Sequence, residues 1–170
     1  PQIMMAWVTD SPHWLNNKRT TSLNYRMLSS MQGSLGIGAN LNHWSAEDSA
    51  TAKRLIAAYH SMQRTIVRGD LYRLISPRNG SEFSSTETVS PDKRQAIVFA
   101  FANATQERRG FPLLQLEGLD PNAIYKLSWI EGKARPETPE SASGAWWTNH
   151  GIQLELRGDF QAAAFRLDGQ

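Results

Sequence analysis

The sequence contains no cysteine, which excludes disulfide bonds, thiol chemistry and any metal site built on thiolates. Its four histidines are far apart along the chain, so no metal-ligand spacing is present. The sequence also lacks a P-loop and a G-x-S-x-G nucleophile motif. We therefore expect no metal and no cofactor.

Long apolar runs and concentrated charge are missing as well. No apolar stretch approaches the ~20 residues that a membrane-spanning helix needs, and 18 basic residues nearly balance 16 acidic ones. Nucleic-acid-binding proteins usually concentrate their basic residues on one face, whereas here they are scattered along the chain. We expect neither a membrane nor a nucleic acid as a partner, and the absence of cysteine fits a reducing compartment.

What is present is typical of a globular protein, since 40% of the 170 residues are hydrophobic and 20% are charged. The first apolar run, Ile3 to Val8, is closed by Thr9-Asp10-Ser11-Pro12. It predicts a strand buried on both faces, as in a parallel sheet under helices. Such a strand needs neighbours, so we expect the chain to be the C-terminal piece of a larger protein.

Two helices and a second strand are predicted in the first 69 residues. Apolar residues spaced three or four apart predict one helix from Thr21 to Met31 and a longer one from Ser45 to Arg68, which begins with a capping-box pattern. Between them, Leu35 to Leu41 is either a tight loop or a strand whose glycines admit close backbone approach. Strand, helix, strand, helix is the order of a parallel sheet or barrel.

After Gly69 the hydrophobic period changes from that of helices to that of strands. Short apolar runs separated by turn residues predict an antiparallel β-sandwich over residues 70–170. We expect the run at 95–103 to be buried on both faces, and we expect no helix in the core between 95 and 167. The predicted strands are 71–75, 95–103, 113–116, 124–130, 152–156 and 162–167.

The segment after the first strand is the candidate functional site. In a barrel it would follow the C-terminal end of a strand, where barrel active sites are built. Trp14 could stack on a sugar, while Asp10, His13 and Asn16 could hydrogen-bond its hydroxyls. The other interpretation is a loop that packs Trp14 on its neighbours and caps the next helix.

Other aromatic and acidic residues give weaker signals. Trp146-Trp147 is either a sugar-stacking platform or a pair that covers a sheet end or domain interface. The carboxylates offer no convincing pair for glycoside hydrolysis, because Glu47 and Asp48 lie in the first turn of a predicted helix. Capping and the helix dipole explain both of them there.

Several stretches recur in a characteristic order along nearly the whole chain: Arg19-Thr20-Thr21-Ser22-Leu23 with Tyr25-Arg26, Gly33-Ser34-Leu35-Gly36, Tyr59, Arg64, Arg68-Gly69-Asp70-Leu71-Tyr72-Arg73-Leu74, and Leu116-Glu117-Gly118-Leu119-Asp120-Pro121 with Tyr125 after it. Together they resemble the C-terminal third of bacterial α-galactosidases of glycoside hydrolase family 36. One departure is Trp7-Val8-Thr9, where many relatives have His-Val-Ser.

The resemblance implies an α/β region followed by an all-β region: the last two βα units of a (β/α)8 barrel, residues 1–69, and an antiparallel β-sandwich, residues 70–170. It implies a parent enzyme that hydrolyses terminal α-galactosyl residues of melibiose- and raffinose-type oligosaccharides with retention of configuration. That parent is expected to be a homo-oligomer of the bacterial cytoplasm.

The catalytic aspartates of the family, a nucleophile and an acid/base, follow earlier barrel strands. We expect both of them upstream of Pro1, so that this chain contains no catalytic residue and has a structural role. The alternatives are a non-catalytic sugar-binding β-sandwich module and a self-standing hydrolase with carboxylates of its own.

Overall fold

A pair of parallel strands opens the chain. The computed structural model describes residues 3–11, 20–103 and 110–170. Strand β1 (Met5–Val8) pairs in parallel with β2 (Ser34–Ile37), with Met5 opposite Ser34 and Val8 opposite Ile37. Helix α1 (Leu23–Ser30) connects the two strands, and helix α2 (Ala46–Arg68) follows β2. The predicted strand–helix–strand–helix order is therefore confirmed.

Both helices begin where the sequence provides a cap. The Ser22 hydroxyl accepts the Tyr25 N–H at 3.2 Å at the start of α1. At the start of α2, Ser45 and Asp48 form the predicted capping box, in which each side chain accepts the other residue's backbone N–H, at 3.0 and 3.2 Å. These bonds satisfy amide donors that have no partner inside the helix.

The second half of the chain forms one six-stranded antiparallel sheet. Its central strands β5 and β8 pair over their whole length, from Gln95 opposite Asp168 to Ala102 opposite Gln161. The strand order is β3-β4-β5-β8-β6-β7. The strands are β3 (Asp70–Ile75), β4 (Phe83–Val89), β5 (Gln95–Ala102), β6 (Ile124–Glu131), β7 (Ser141–Ser143) and β8 (Gln161–Gly169), and a short helix α3 (Gly144–Asn149) follows β7.

Strand β5 is buried on both faces, as predicted, and it separates two hydrophobic cores. Its large side chains Ile97, Phe99 and Phe101 share a core with α1 and α2, which contribute buried residues such as Leu55 and Met62. Its alanines and Val98 face the other core, which contains residues from 111–119 and 152–156. The helices therefore cover one face of the sheet and loop segments cover the other.

The second layer of the predicted sandwich is not a continuous sheet among the described residues. Segments 113–116 and 152–156 were predicted as strands, but they form only isolated bridges, Leu114 with Ile152 and Ala134 with Leu154. The alternation of apolar residues was interpreted correctly, since Ile152, Leu154 and Leu156 are buried. No continuous ladder forms because Ile152 pairs with Leu114 whereas Leu154 pairs with Ala134. The periodicity of the sequence does not show which segment each residue pairs with.

The expectation of no helix between 95 and 167 is wrong. Helix α3 carries Trp146 and Trp147, and the Ser143 hydroxyl caps it by accepting the Trp146 N–H at 3.2 Å. Tertiary hydrogen bonds hold its first turn, from Gly144 N–H to the Ala123 carbonyl and from Ala145 N–H to the Pro121 carbonyl. A six-residue helix held by distant carbonyls has too few turns to show a period.

Strand β1 is not buried on both faces as predicted. Only Val8 is buried, whereas Ile3 is fully exposed and Met5 and Trp7 are 63% and 57% exposed. The cause is that β1 pairs only with β2 among the described residues, while the helices cover a single face of the pair. The apolar face of β1 that carries Met5 and Trp7, and the unpaired edge of the strand, are therefore exposed to solvent.

We predict that β1 is much less stable than β5 when the 170-residue chain is studied alone. Amides of Ile97 to Phe101 should exchange with solvent at least ~100-fold more slowly than those of Met5 to Val8, because local stability follows burial and pairing. Hydrogen exchange followed by NMR measures both. Equal protection of the two strands would contradict this prediction.

Glu87 on β4 is a fully buried carboxyl group that ties the loop layer to the sheet. Its Oε2 atom accepts the backbone N–H of Glu117 at 2.7 Å and that of Gly118 at 3.3 Å. Its Oε1 atom has no hydrogen-bond partner among the described residues. Burial raises the pKa of Glu87 above its ordinary value of 4.5, although the two N–H groups act in the opposite direction.

We predict that Glu87 makes the protein less stable as the pH rises. A raised pKa means that the folded state binds the proton more tightly, so this stability is complete below pH 4.5 and is lost as the pH rises through the folded-state pKa. The variant Glu87→Gln keeps an oxygen acceptor without a charge and should lose this dependence. Denaturant unfolding between pH 4 and 8 tests it; parallel pH profiles for the two proteins would contradict the assignment.

Candidate functional site

The carboxyl ends of β1 and β2 meet at one edge, because the two strands are parallel neighbours. The chain continues past this edge with one more bond, from Gly38 N–H to the Val8 carbonyl at 2.9 Å. Asp10, two residues beyond β1, accepts the backbone N–H of Asn40 with both carboxylate oxygens, each at 3.1 Å. The two loops are thereby fixed to each other.

The imidazole of His43 lies beside the side chain of Asn40. The Nδ2 atom of Asn40 is 3.1 Å from Nε2 of His43, and the Oδ1 atom of Asn40 accepts the Asn42 N–H at 3.2 Å. Asp10, Asn40 and His43 thus form a chain of polar contacts at this edge. Carboxylate, amide and imidazole groups in this arrangement can hydrogen-bond the hydroxyls of a ligand.

Arg26 of α1 brings a cation to the same end of the strands. Its guanidinium donates to the Thr9 carbonyl, and its Nε is buried without a hydrogen-bond partner among the described residues. Burial lowers the pKa of Arg26 from its ordinary value, while the carboxylates of Asp48 and Asp10 oppose that shift. Both carboxylates therefore interact electrostatically with the cation.

Trp7 lies on the exposed face of β1, against the backbone of β2. A Cβ atom at Gly36 would come within 2.8 Å of the Trp7 ring, so only glycine leaves room for the indole there. This supports the interpretation of this segment as a strand whose glycines allow close approach, although the strand ends at Ile37 and Leu41–His43 form a 3-10 turn instead of its predicted end. Next to it is a cavity of about 230 Å³, lined by residues that include Trp7, Thr9, Tyr25 and Arg26.

Of the four residues predicted for the site, Asp10 is at this edge, and His13, Trp14 and Asn16 lie outside the described residues. Sequence reasoning missed Asn40 and His43. Both follow β2, which ends at Ile37, but the predicted strand extended to Leu41 and so contained Asn40. The rule that parallel strands end at one edge identifies the two residues only when the strand is ended at Ile37. Arg26 could not be found in this way, because a single cation on a helix has no distinguishing pattern.

The structure favours the covering role for Trp146-Trp147 over a sugar platform. Trp147 is fully buried, and its Nε1 donates to the Ala142 carbonyl at 3.2 Å. Trp146 is half-buried and packs between Trp147 and the imidazole of His150, which is stacked at 5.2 Å. The neighbouring imidazole covers ring surface that a sugar would need.

Two further results bear on the chemistry of the chain. The described residues contain no cluster of three or more histidine or acidic side chains that could hold a metal ion. Within residues 3–11, 20–103 and 110–170, no helix is long and apolar enough to cross a membrane.

Comparison with known proteins gives a consistent result. Residues 83–167 match the model of the glycosyl hydrolase family 36 C-terminal domain. The chain is 30% identical, over its full length, to alpha-galactosidase 2 of Hypocrea jecorina. Over 66% of its length it is 29% identical to alpha-galactosidase AgaA of Geobacillus stearothermophilus.

Solved structures agree with the sequence comparisons. A crystal structure of a Geobacillus stearothermophilus AgaA variant in complex with raffinose superposes on 99% of the chain with a TM-score of 0.87 and 25% identity. The alpha-galactosidase from Lactobacillus brevis superposes on all of it, with a TM-score of 0.86 and 23% identity. The chain spans only about a fifth of these relatives, 21% of the Hypocrea jecorina protein and 22% of the AgaA chain.

We predict that Asp10→Ala loosens the strand edge without unfolding the chain. The backbone N–H of Asn40 loses its acceptor, and a hydrogen bond to a charged group contributes about 1.5–3 kcal/mol. Hydrogen exchange at Asn40 should accelerate, whereas Asp10→Asn, which retains an acceptor oxygen, should stay near the parent. Glu137→Ala in an exposed loop serves as the control. Unchanged exchange at Asn40 in Asp10→Ala would show that the bond does not hold the loops.

Proposed function

The chain belongs to glycosyl hydrolase family 36, and from that premise we propose that it is the C-terminal part of an α-galactosidase. In this proposal residues 1–69 complete a catalytic (β/α)8 barrel as its last two βα units, and residues 70–170 form the C-terminal β-domain. The parent protein hydrolyses terminal α-galactosyl residues with retention of configuration. This chain supplies structure rather than the catalytic carboxylates.

The observation that carries the proposal is the unfinished parallel pair β1–β2. Its helices cover one face, which holds Val8, and leave the face of Met5 and Trp7 in water. In a barrel the helices lie outside and the opposite face is filled by side chains of the other strands. The exposed face of β1 is therefore the one that the remaining six strands would cover.

The proposed role in the reaction follows from this placement. Retaining glycosidases require two carboxyl groups about 5–5.5 Å apart. At the carboxyl edge of β1 and β2, Asp10 has both oxygens bonded to the Asn40 amide, and Asp48 is occupied in the α2 cap. We assign the nucleophile and the acid/base to aspartates upstream of Pro1. Asp10, Asn40 and His43 shape the rim around them.

Substrate, assembly and location are part of the same proposal. AgaA relatives have been crystallised with raffinose and with stachyose, which supports melibiose- and raffinose-type oligosaccharides as substrates here. The parent is proposed to be a homo-oligomer in the bacterial cytoplasm. The exposed apolar strand face is completed within one subunit, so oligomerisation would use other surfaces.

We predict that the full-length protein hydrolyses nitrophenyl α-galactoside, melibiose and raffinose, and that the purified 170-residue chain hydrolyses none of them. The carboxylate pair supplies most of a rate enhancement of at least ~10⁶, and the short chain lacks it in this proposal. Activity is followed by nitrophenol release, and NMR of the first-formed galactose should show the α-anomer. Turnover by the 170-residue chain would refute its structural role, and a β-anomer would refute retention.

A further inference from the structure

An open groove runs beside strand β6, remote in sequence from the β1–β2 edge. Its volume is about 480 Å³, within the usual size range of small-molecule sites. Trp129 lines one side and the loop 132–140 forms the other, with Arg135, Pro136, Thr138 and Glu140 among the lining residues.

Trp129 is fixed in this groove and yet remains accessible. It lies opposite Phe165 in the β6–β8 ladder, and the two rings make an edge contact with centroids 5.3 Å apart. A β-bulge follows directly, between Trp129 and Glu131; bulges of this kind redirect side chains. The indole is 37% exposed although its neighbour Phe165 is completely buried.

The loop that forms the other wall is also held in place. Arg135 N–H donates to the Gln153 carbonyl at 3.0 Å, and Leu127 N–H donates to the Glu140 carbonyl at 2.8 Å. Lys133 forms an ion pair with Glu155 at 2.9 Å. The groove is therefore formed before any ligand arrives, which lowers the entropic cost of binding.

Three polar side chains along the groove are available to a ligand, whereas Lys133 is paired with Glu155. The side chains of Arg135, Thr138 and Glu140 form no hydrogen bond or ion pair with another residue of the described ranges, although Arg135 adds to the lowering of the Glu155 pKa that is caused mainly by Lys133. Together they offer strong donors, a hydroxyl and a carboxylate acceptor. The hydroxyl groups of a ligand both donate and accept hydrogen bonds, so they can bond with all three side chains. The flat apolar surface of an indole is complementary to the C–H face of a pyranose ring.

We propose that the Trp129 groove binds a neutral oligosaccharide. One pyranose ring packs on the exposed indole surface, and its hydroxyls bond with the side chains of Arg135, Thr138 and Glu140. The proposed function enters only in the choice of raffinose as the probe.

The test is a raffinose titration of the ¹⁵N-labelled 170-residue chain, followed through its tryptophan indole N–H resonances. The Trp129 signal, assigned by its loss in Trp129→Ala, should shift with saturation at a dissociation constant on the order of millimolar. Trp129→Ala should weaken binding by more than about tenfold. Thr138→Val replaces the hydroxyl with a methyl group of similar size and should weaken binding by roughly 2- to 10-fold.

The controls separate this groove from the half-buried Trp146, another aromatic side chain of the β-domain. Trp146→Ala should leave raffinose binding unchanged, and sorbitol, which has no pyranose ring, should cause no saturable shift. If Trp129→Ala does not fold, Arg135→Ala and Thr138→Val decide the matter. Absence of a saturable shift, binding that survives these substitutions, or loss of binding in Trp146→Ala would overturn the proposal.

Hydrolysis by the full-length protein is a separate measurement from binding by this chain. An active enzyme whose C-terminal chain does not bind raffinose would refute the groove and leave the proposed activity intact. If the full-length protein had no α-galactosidase activity but this chain bound raffinose through Trp129, the proposed activity would be refuted and the groove supported.

Discussion

The structure depends on the burial of strand β5 on both faces. Ile97, Phe99 and Phe101 require a cover on one side, which α1 and α2 provide, while the alanines on the other side leave room for large loop residues. Leaving side chains of this size in water costs about 1.5–3 kcal/mol each, a large amount against a typical domain stability of about 5–15 kcal/mol. Neither layer can be removed without exposing the central strand.

The sequence predicted the elements whose pattern is local. The capping box of α2, the apolar stripe that ends at Ile66 and the unbroken apolar run of β5 all depend on neighbouring residues, so periodicity was sufficient. Periodicity failed where hydrogen bonds to backbone groups distant in sequence determine the local structure. Helix α3 depends on carbonyls of Pro121 and Ala123, and 152–156 divides its pairing between two partners. The candidate site shows the same division, because Asp10 was found from its place after a strand, whereas Arg26 had no local signal.

Buried polar groups fasten the loop layer to the sheet. Glu87 holds two amides of the segment around Gly118, and the Tyr125 hydroxyl donates to the Lys93 carbonyl at 2.7 Å while accepting the Asp120 N–H at 3.0 Å. Burial raises the pKa of both side chains. These bonds replace the ladder that a second sheet would have supplied, so a layer with only isolated bridges can still have a defined position.

The helices α1 and α2 serve both sheets, because Val8 of β1 lies in the same core as Ile97, Phe99 and Phe101 of β5. The family match, in contrast, extends only from residue 83 to residue 167, and so excludes both helices. The segment that matches the family model is thus smaller than the segment needed to bury the apolar face of the sheet. A segment excised at residues 83 and 167 would present a row of aromatic and aliphatic side chains to solvent and would tend to aggregate. Transplanting this sheet into another protein requires carrying the helical cover with it.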